Sequence, residues 1–122
     1  MLKIELLADD GIAIITPEGK LEASDFEEVG RKIDPIIERH GSLKGLMIHV
    51  TGFPGWADFG ALIKHLRFVK DHHRKIRRIA AVSDDEFFQI APAIAKHFVT
   101  AEIRQFSFDD MDRALLWLKT GK

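Results

Sequence analysis

The hydrophobic pattern in the middle of the chain predicts a buried strand followed by an amphipathic helix. A short apolar run over residues 46–50 lies between two glycines, which is typical of a strand covered on both faces, as in parallel sheets. A loop with Pro54 and Gly55 follows, and Asp58 is placed to cap the next helix. Apolar residues then recur at helical spacing on one predicted face; they are Phe59, Leu62, Ile63, Leu66 and Val69.

Before this region, the pattern predicts a strand pair and a first helix. Residues 1–8 and 12–16 form the two strands, and the Asp-Gly sequence between them indicates an antiparallel hairpin. Ser24 and Glu27 have the spacing of a capping box at the start of the helix. Gly41 is placed to end that helix.

The second half of the chain alternates strand and helix. Residues 79–82 predict a strand, Ser83-Asp84-Asp85 a cap and 86–98 a third helix. Residues 102–108 predict another strand, with Asp109 or Asp110 capping a last helix. The order β-β-α-β-α-β-α-β-α predicts one α/β domain over residues 1–122 with a mostly parallel five-stranded sheet. Right-handed crossovers between neighbouring strands place the helices mainly on one side of the sheet.

The predicted third helix is apolar nearly all round, with Phe87 and Ile94 on one face and Phe88 on another. Such a helix is buried on two sides or contacts another molecule. It could therefore be a lid over an apolar ligand, a membrane-touching segment or a dimer surface, or else a core helix with a few exposed apolar residues. Pro92 removes a hydrogen bond in its middle and favours local mobility.

Trp56 lies in a glycine-bounded loop where the sheet's carboxyl edge is expected, a common place for a ligand pocket. The alternative is that Trp56 closes over the start of the second helix as a hydrophobic plug. The residues that we expect to line an apolar pocket are Phe53, Trp56, Phe59, Phe87, Phe88 and Ile94.

A basic run at the end of the second predicted helix contains a single acid, Asp71. It is either a solvated helix end, where cations complement the helix dipole, or a surface for anionic lipid heads or an acidic partner. The run has no interleaved aromatics or nucleic-acid-binding motif, so nucleic acid is not expected as a partner. The residues expected at an anionic surface are Lys64, Arg67, Lys70, Arg74, Lys75 and Arg77.

Composition removes several classes of function. The chain has no cysteine, which excludes disulfides and thiolate chemistry, and its net charge of −1 does not indicate a nucleic-acid partner. The six histidines lack the spacing of a helical zinc pair, and His49 is expected to be a hydrogen-bonded core residue, so we predict no metal and no cofactor. We expect a cytoplasmic protein without a signal peptide or membrane span.

Several short segments, in this order and spacing, resemble the SpoIIAA-like family, a branch of the STAS-type fold. They are Gly55-Trp56, Leu66-Arg67-Phe68 leading to His72, residues 78–84, residues 101–106 and residues 114–118. The family often has a Trp in the third helix, where this chain has Phe87-Phe88. The resemblance covers nearly the whole chain and implies a curled sheet backed by helices, with no known enzymatic activity.

The resemblance also bears on partners. Anti-sigma-factor antagonists of the wider fold carry a phosphorylatable Ser at the start of the second helix, but this chain has Ala57-Asp58-Phe59-Gly60 there, so that switch is not expected. CRAL-TRIO-type lipid-binding domains share the fold, which makes an apolar ligand plausible by analogy. We predict a non-enzymatic domain that binds an apolar or amphipathic small molecule, and we expect it to form a homodimer and to make peripheral contact with a membrane surface. The alternative is a protein–protein interaction module that uses the third helix.

Overall fold

Five strands form one sheet in the order β1-β2-β3-β4-β5 in the computed structural model, which describes all residues from Met1 to Lys122. β1 and β2 are antiparallel, and all later neighbours are parallel, as the sequence pattern predicted. The strands are β1 (Leu2–Leu7), β2 (Ile12–Pro17), β3 (Leu43–His49), β4 (Ile76–Val82) and β5 (Glu102–Phe106).

Four α-helices connect or follow these strands: α1 (Ala23–His40), α2 (Phe59–His72), α3 (Glu86–Ala95) and α4 (Met111–Thr120). Each of the first three lies in a crossover between neighbouring parallel strands. Right-handed crossovers that all step in one direction put their helices on the same face, so α1, α2 and α3 share one face of the sheet. α4 follows the last strand, where no crossover fixes its side, and it covers the opposite face. The helices thus lie mainly on one side, as predicted.

The strands bury alternate side chains on the two faces of the sheet, as their period of two requires. Ile12, Met47 and Val82 pack against Trp117 and Leu118 of α4. The neighbouring residues on the same strands point the other way; among them, Ala13, Ile15 and Leu46 pack against the α1 residues Val29, Ile33, Ile36 and Ile37. The two cores explain why β2 and β3 are nearly continuous apolar runs.

The hairpin between β1 and β2 forms where the Asp-Gly signal predicted it. Ala8–Asp10 make one turn of 3-10 helix, and Gly11 follows with a φ of 68°. That left-handed conformation is open to glycine at little cost. The Gly11 N–H donates to the Ala8 carbonyl at 3.1 Å and closes the turn.

The predicted cap of α1 was wrong. Glu22 is the N-cap, and the Asp25 carboxylate, three residues on, accepts the Glu22 backbone N–H at 2.8 Å. Ser24 lies inside the helix and is exposed, and Glu27 binds Lys64 instead. The capping residues are therefore displaced by two positions. Asp25, at the third helical position, accepts the N-cap backbone N–H that Glu27 was expected to accept.

Several further boundaries differ from the pattern, including the start of β3 at Leu43 and the end of β5 at Phe106. α3 ends at Ala95, three residues before the predicted end. Residues 96–98 form a turn in which the His97 N–H donates to the Ile94 carbonyl and the Phe98 N–H to the Ala95 carbonyl. β4 begins at Ile76, three residues before the predicted start, because Ile76 pairs with Leu43 and packs against α1. Asp58 and Asp85 cap α2 and α3 as expected, each accepting a backbone N–H at 2.8 Å.

Candidate functional site

A cavity of about 320 Å³ lies between the sheet and the three helices on its α1–α3 face. Nineteen of its 25 lining residues are hydrophobic, and the other six are three prolines and three histidines. The histidines are His65, His72 and His73. No carboxylate, amide, hydroxyl, lysine or arginine side chain belongs to the lining, so its polar chemistry comes entirely from imidazole rings.

The floor of the cavity consists of alternate residues on four parallel strands. β2 contributes Ile15, β3 contributes Leu46 and Ile48, and β4 and β5 contribute Ile79 and Ile103. Because strand side chains alternate between faces, their neighbours pack against α4 instead. The same pattern that makes the strands apolar on both faces thus leaves one apolar face for the cavity.

The helix walls come from α1, α2 and α3. Phe26 and Val29 of α1 and Phe68 and Val69 of α2 line one side. α3 contributes small residues, among them Ala91, Pro92 and Ala95, which leave space that larger side chains would fill. Phe88 is the one buried residue of α3, so this helix is anchored to the sheet mainly through that ring.

The predicted apolar face of α2 is only partly buried, with Leu62, Ile63 and Val69 half-buried. Phe59 is 74% exposed and Leu66 is 57% exposed, whereas His65 and Phe68 turn toward the cavity. The reason is tertiary, because the ring of His65 stacks on Phe26 of α1 with 4.6 Å between the ring centroids and 16° between their planes. Because of this contact, α2 turns His65 and Phe68 toward the cavity and leaves Phe59 and Leu66 in solvent.

Trp56 holds His65 from the other side. The indole Nε1–H donates to His65 Nδ1 at 3.0 Å. The Trp56 loop is itself fixed to residue 21, because the Leu21 N–H donates to the Gly55 carbonyl at 2.8 Å and the Ala57 N–H to the Leu21 carbonyl at 2.7 Å. Burial lowers the pKa of His65 from its ordinary value of 6.5, and the ring is therefore neutral at pH 7.

Both ring nitrogens of His72 lie within hydrogen-bond distance of an oxygen atom. Nδ1 lies 2.9 Å from the Phe68 carbonyl oxygen and Nε2 lies 2.9 Å from Asp34 Oδ1. Both neighbours are hydrogen-bond acceptors, so contacts within the chain occupy both ring nitrogens of His72. The ring also stacks on Phe68 with centroids 4.1 Å apart.

His73 ties the end of α2 to the segment before β5. Its Nδ1 accepts the Thr100 backbone N–H at 3.1 Å, and the Thr100 hydroxyl donates to the His73 carbonyl at 3.2 Å. His73 is the C-cap residue of α2, and Thr100 is exposed. This histidine therefore lies at the rim of the cavity.

The structure brings together some of the residues predicted to bind a ligand. Phe53, Phe87 and Phe88 line the cavity, and Phe53 stacks on Phe87 with centroids 4.2 Å apart. Trp56 is half-buried behind this lining, in edge contact with Phe53 at 4.9 Å. Phe59 and Ile94 are exposed and outside the lining.

The basic run is an exposed surface with one ion pair. Lys64 Nζ lies 2.9 Å from Glu27 Oε1, and this hydrogen-bonded cation lowers the pKa of Glu27. The other five predicted contacts are exposed and form no salt bridge within 4 Å; they are Arg67, Lys70, Arg74, Lys75 and Arg77.

Sequence reasoning did not assign the three cavity histidines or Asp34 to the site. His65, Phe68 and His72 follow at intervals of three and four residues, which is the spacing of one helical face. This spacing could have predicted that the histidines share a buried face of α2. The prediction instead buried the face that carries the larger aliphatic residues. His49 is hydrogen-bonded as predicted, with Nε2 3.2 Å from the Phe108 carbonyl and its ring stacked on that phenylalanine, but it is half-buried and not a core residue.

Metal and membrane geometry complete the description of the site. No three His, Asp or Glu side chains of the chain converge in a way that could hold a metal ion. None of the helices combines the length and the apolar composition that a membrane crossing requires.

Comparison with known proteins gives a family match and a fold match. The sequence model of the SpoIIAA-like family matches residues 12–119. A crystal structure at 2.25 Å resolution of an uncharacterized protein of the DUF3478 family with a SpoIIAA-like fold, from Shewanella loihica PV-4, is similar over 97% of this chain and 92% of that chain. The TM-score is 0.74 and the sequence identity 24%, so this likeness concerns the fold. The search of curated proteins finds no match.

Proposed function

This chain belongs to the SpoIIAA-like family, and we propose that it is a non-enzymatic domain that binds an apolar or amphipathic small molecule in the cavity between its sheet and α1–α3. Family and fold support the absence of catalysis, and the ligand is our extension from the cavity. The ligand would contact Phe53, Phe87 and Phe88 of the predicted set, with Trp56 supporting the wall from behind.

The observation that carries the proposal is the size and lining of the cavity. Its volume of about 320 Å³ falls at the lower end of the range, about 300–1,000 Å³, that small-molecule pockets occupy. Protein interiors are packed nearly as densely as organic crystals, and few voids larger than a water molecule survive in them. A water in this cavity would find imidazole nitrogens and little else, whereas an apolar ligand would bury its surface against 19 hydrophobic residues.

Binding of N-phenyl-1-naphthylamine, an uncharged fluorescent probe, tests the proposal. Wild-type protein should bind it with increased fluorescence, and Ala91→Phe, which puts a ring into the cavity from α3, should weaken binding at least tenfold. Ala8→Phe, on the exposed turn before β2, is the matched control and should bind like wild type. Absence of binding to wild type, or equal loss in both variants, would contradict the proposal.

The membrane part of the proposal is supported by exposed side chains of two kinds. Five cations of the basic run have no ion-pair partner, and Ile90, Ile94 and Phe98 of the α3 region are more than half exposed. Each lysine or arginine near an anionic membrane surface contributes about 1 kcal/mol to the free energy of membrane binding. Flotation with anionic and neutral liposomes checks this, and equal, negligible binding to both would rule it out.

A second candidate function, a protein interaction module that self-associates through α3, is favoured by the same exposed apolar residues. Ile94 is 58% exposed on α3, and Leu116 is 56% exposed on α4 across the sheet. If α3 is the interface, Ile94→Lys should raise the dimer dissociation constant at least tenfold, and Leu116→Lys should leave it unchanged. Light scattering during size exclusion measures both; a monomeric wild type would exclude self-association.

A further inference from the structure

The polar groups of the cavity belong to a single helix and its cap, and they are not equivalent. Both ring nitrogens of His72 already have partners within the chain, the Phe68 carbonyl and Asp34. His73 gives its Nδ1 to the Thr100 N–H at the rim. His65 and His73 each have an Nε2 without a hydrogen-bond partner in the chain, and His65 is the one of the two that stacks on Phe26 between α1 and α2 instead of lying at the rim.

Trp56 determines where the proton of His65 lies. An indole N–H can only donate a hydrogen bond, so Nδ1 of His65 must present its lone pair. The neutral ring then carries its single proton on Nε2. Phe26 stacks on one face of the His65 ring and offers no hydrogen-bond acceptor that would favour the other tautomer.

Nε2 of His65 has no partner within the protein, yet it is not sealed in. Every side-chain nitrogen and oxygen that is fully buried in the chain has a hydrogen-bond partner. Nε2 of this half-buried residue makes none, so it borders accessible space. His65 belongs to the lining of the cavity, and apart from its three histidines that lining consists of hydrophobic residues and prolines.

We propose that the Nε2–H of His65 is the polar anchor of the cavity, and that the ligand carries an uncharged hydrogen-bond acceptor, such as a ketone, aldehyde or ester carbonyl, on an apolar body. This inference rests on the proposed function and names its ligand class. A carboxylate fits less well, because the lining contains no lysine or arginine and Nε2 of His72 already lies 2.9 Å from Asp34 Oδ1. A buried anion without a partner is strongly disfavoured, and a second proton on His65 would break its bond from Trp56.

The tautomer can be measured without any ligand by long-range ¹H–¹⁵N correlation NMR of the histidine rings. Wild type should show His65 with an unprotonated Nδ1 and a protonated Nε2 at pH 7.5. Trp56→Phe keeps an aromatic ring but removes the donor, and His65 should then show a mixture of tautomers. A wild-type ring protonated on Nδ1 would overturn the inference.

The ligand class is tested with three probes of equal chain length, 2-undecanone, undecane and undecanoate, each displacing N-phenyl-1-naphthylamine. His65→Phe keeps the stack on Phe26 and removes the donor, and His73→Phe is the control from the cavity rim. The affinity ratio of ketone to alkane should fall by about 2- to 12-fold in His65→Phe, the equivalent of one neutral hydrogen bond. The ratio should be unchanged in His73→Phe, and undecanoate should bind wild type more weakly than the ketone.

The outcomes separate this inference from the proposed function. If ketone and alkane both bind and their ratio is the same in wild type and His65→Phe, the anchor is refuted and the apolar site stands. A ratio that falls only in His73→Phe, or undecanoate as the preferred probe, also refutes it. If no probe binds wild-type protein, the proposed function and the anchor fail together.

Discussion

His65 combines burial with a hydrogen bond that only its neutral ring can accept, which gives folding a pH dependence. Burial lowers its pKa from 6.5, so between the lowered value and 6.5 the unfolded chain binds more protons than the folded one. The contribution of His65 is therefore complete above pH 6.5 and is lost as the pH falls through the folded pKa. Its aromatic neighbours, Phe26 and Trp56, are uncharged.

Urea unfolding at pH 7.5 and 5.5 measures this effect. Wild type should lose more free energy of unfolding on acidification than His65→Phe, which cannot titrate at this position. The variant is its own control for all other groups, including His72 and Asp34. Equal losses in the two proteins would show that the protonation of His65 is not linked to folding.

Gly45 is a residue whose lack of a side chain is a packing requirement. A Cβ at this position of β3 would lie 2.9 Å from Cβ and Cδ2 of Leu118, a fully buried residue of α4. Gly45→Ala should therefore destabilise the protein by about 1–3 kcal/mol through overpacking. Gly30→Ala, inside α1, is the control, because its new Cβ would meet nothing closer than 3.9 Å.

In the control, replacing a helical glycine should stabilise the protein by about 0.5–1 kcal/mol. Chemical denaturation of the two variants should thus give effects of opposite sign. A neutral Gly45→Ala would mean that α4 can move away from β3 without cost.

Individual residues also mark the limit of what the sequence predicted at the site. The aromatic rings of Phe53, Phe87 and Phe88 were expected near a pocket and line the cavity. The imidazole rings were not expected there, because their burial depends on Phe26 and Asp34, which are far from them in sequence. Local spacing carries no information about such partners.

At the scale of elements, the caps distinguish helices whose first turns look alike in sequence. Asp85 caps α3 with a side-chain bond to the Phe87 N–H at 2.8 Å and reaches the Phe53 N–H at 3.4 Å. Asp110 is the N-cap of α4 but makes no such bond. Asp85→Ala should therefore cost about 1 kcal/mol of stability, and Asp110→Ala clearly less.

The same pair should separate binding from folding. Asp85 connects α3 to the loop that carries Phe53, a cavity residue, so Asp85→Ala should also weaken probe binding. Asp110→Ala should leave it intact. Denaturation and probe titration of both variants measure the two effects, and equal destabilisation by both would show that the cap bond contributes nothing.

Element positions were predicted where periodicity and turn residues agreed. Every strand and helix was anticipated, and the caps at Asp58 and Asp85 were confirmed. The failures at the start of α1 and on α2 share one cause, because in each case more than one set of nearby residues could take the same structural position. Glu22 and Asp25 replaced Ser24 and Glu27 at the start of α1, and α2 turned its histidine stripe inward, because contacts from distant elements decided each case.

At the scale of the whole molecule, the two faces of the sheet have different packing. On the α4 face, the core between β3 and α4 is closely filled, with Ala114 and Leu118 fully buried and Gly45 in contact with Leu118. The α1–α3 face contains the cavity. Strand order and helix side followed from the sequence through the rules for crossovers, but an unfilled volume depends on how far α3 stands from the sheet, and no pattern of residues encodes that distance.

This asymmetry predicts opposite effects for the same substitution on the two faces. Ala95→Leu on α3 adds methyl groups to the cavity and should stabilise the protein by about 0.5–2 kcal/mol. Ala114→Leu on α4 adds them to a filled core and should destabilise it by about 1–3 kcal/mol. Both positions are helical alanines, so intrinsic helix propensity nearly cancels between them.

Ala95→Leu should also weaken binding of N-phenyl-1-naphthylamine at least tenfold while raising the midpoint of denaturation. That combination is expected only if the empty volume is kept for a ligand at the expense of stability. Ala114→Leu, where it remains folded, should keep wild-type affinity because α4 does not line the cavity. If Ala95→Leu is destabilising, the space under α3 closes in solution, and the protein on this face is a packed core like the other.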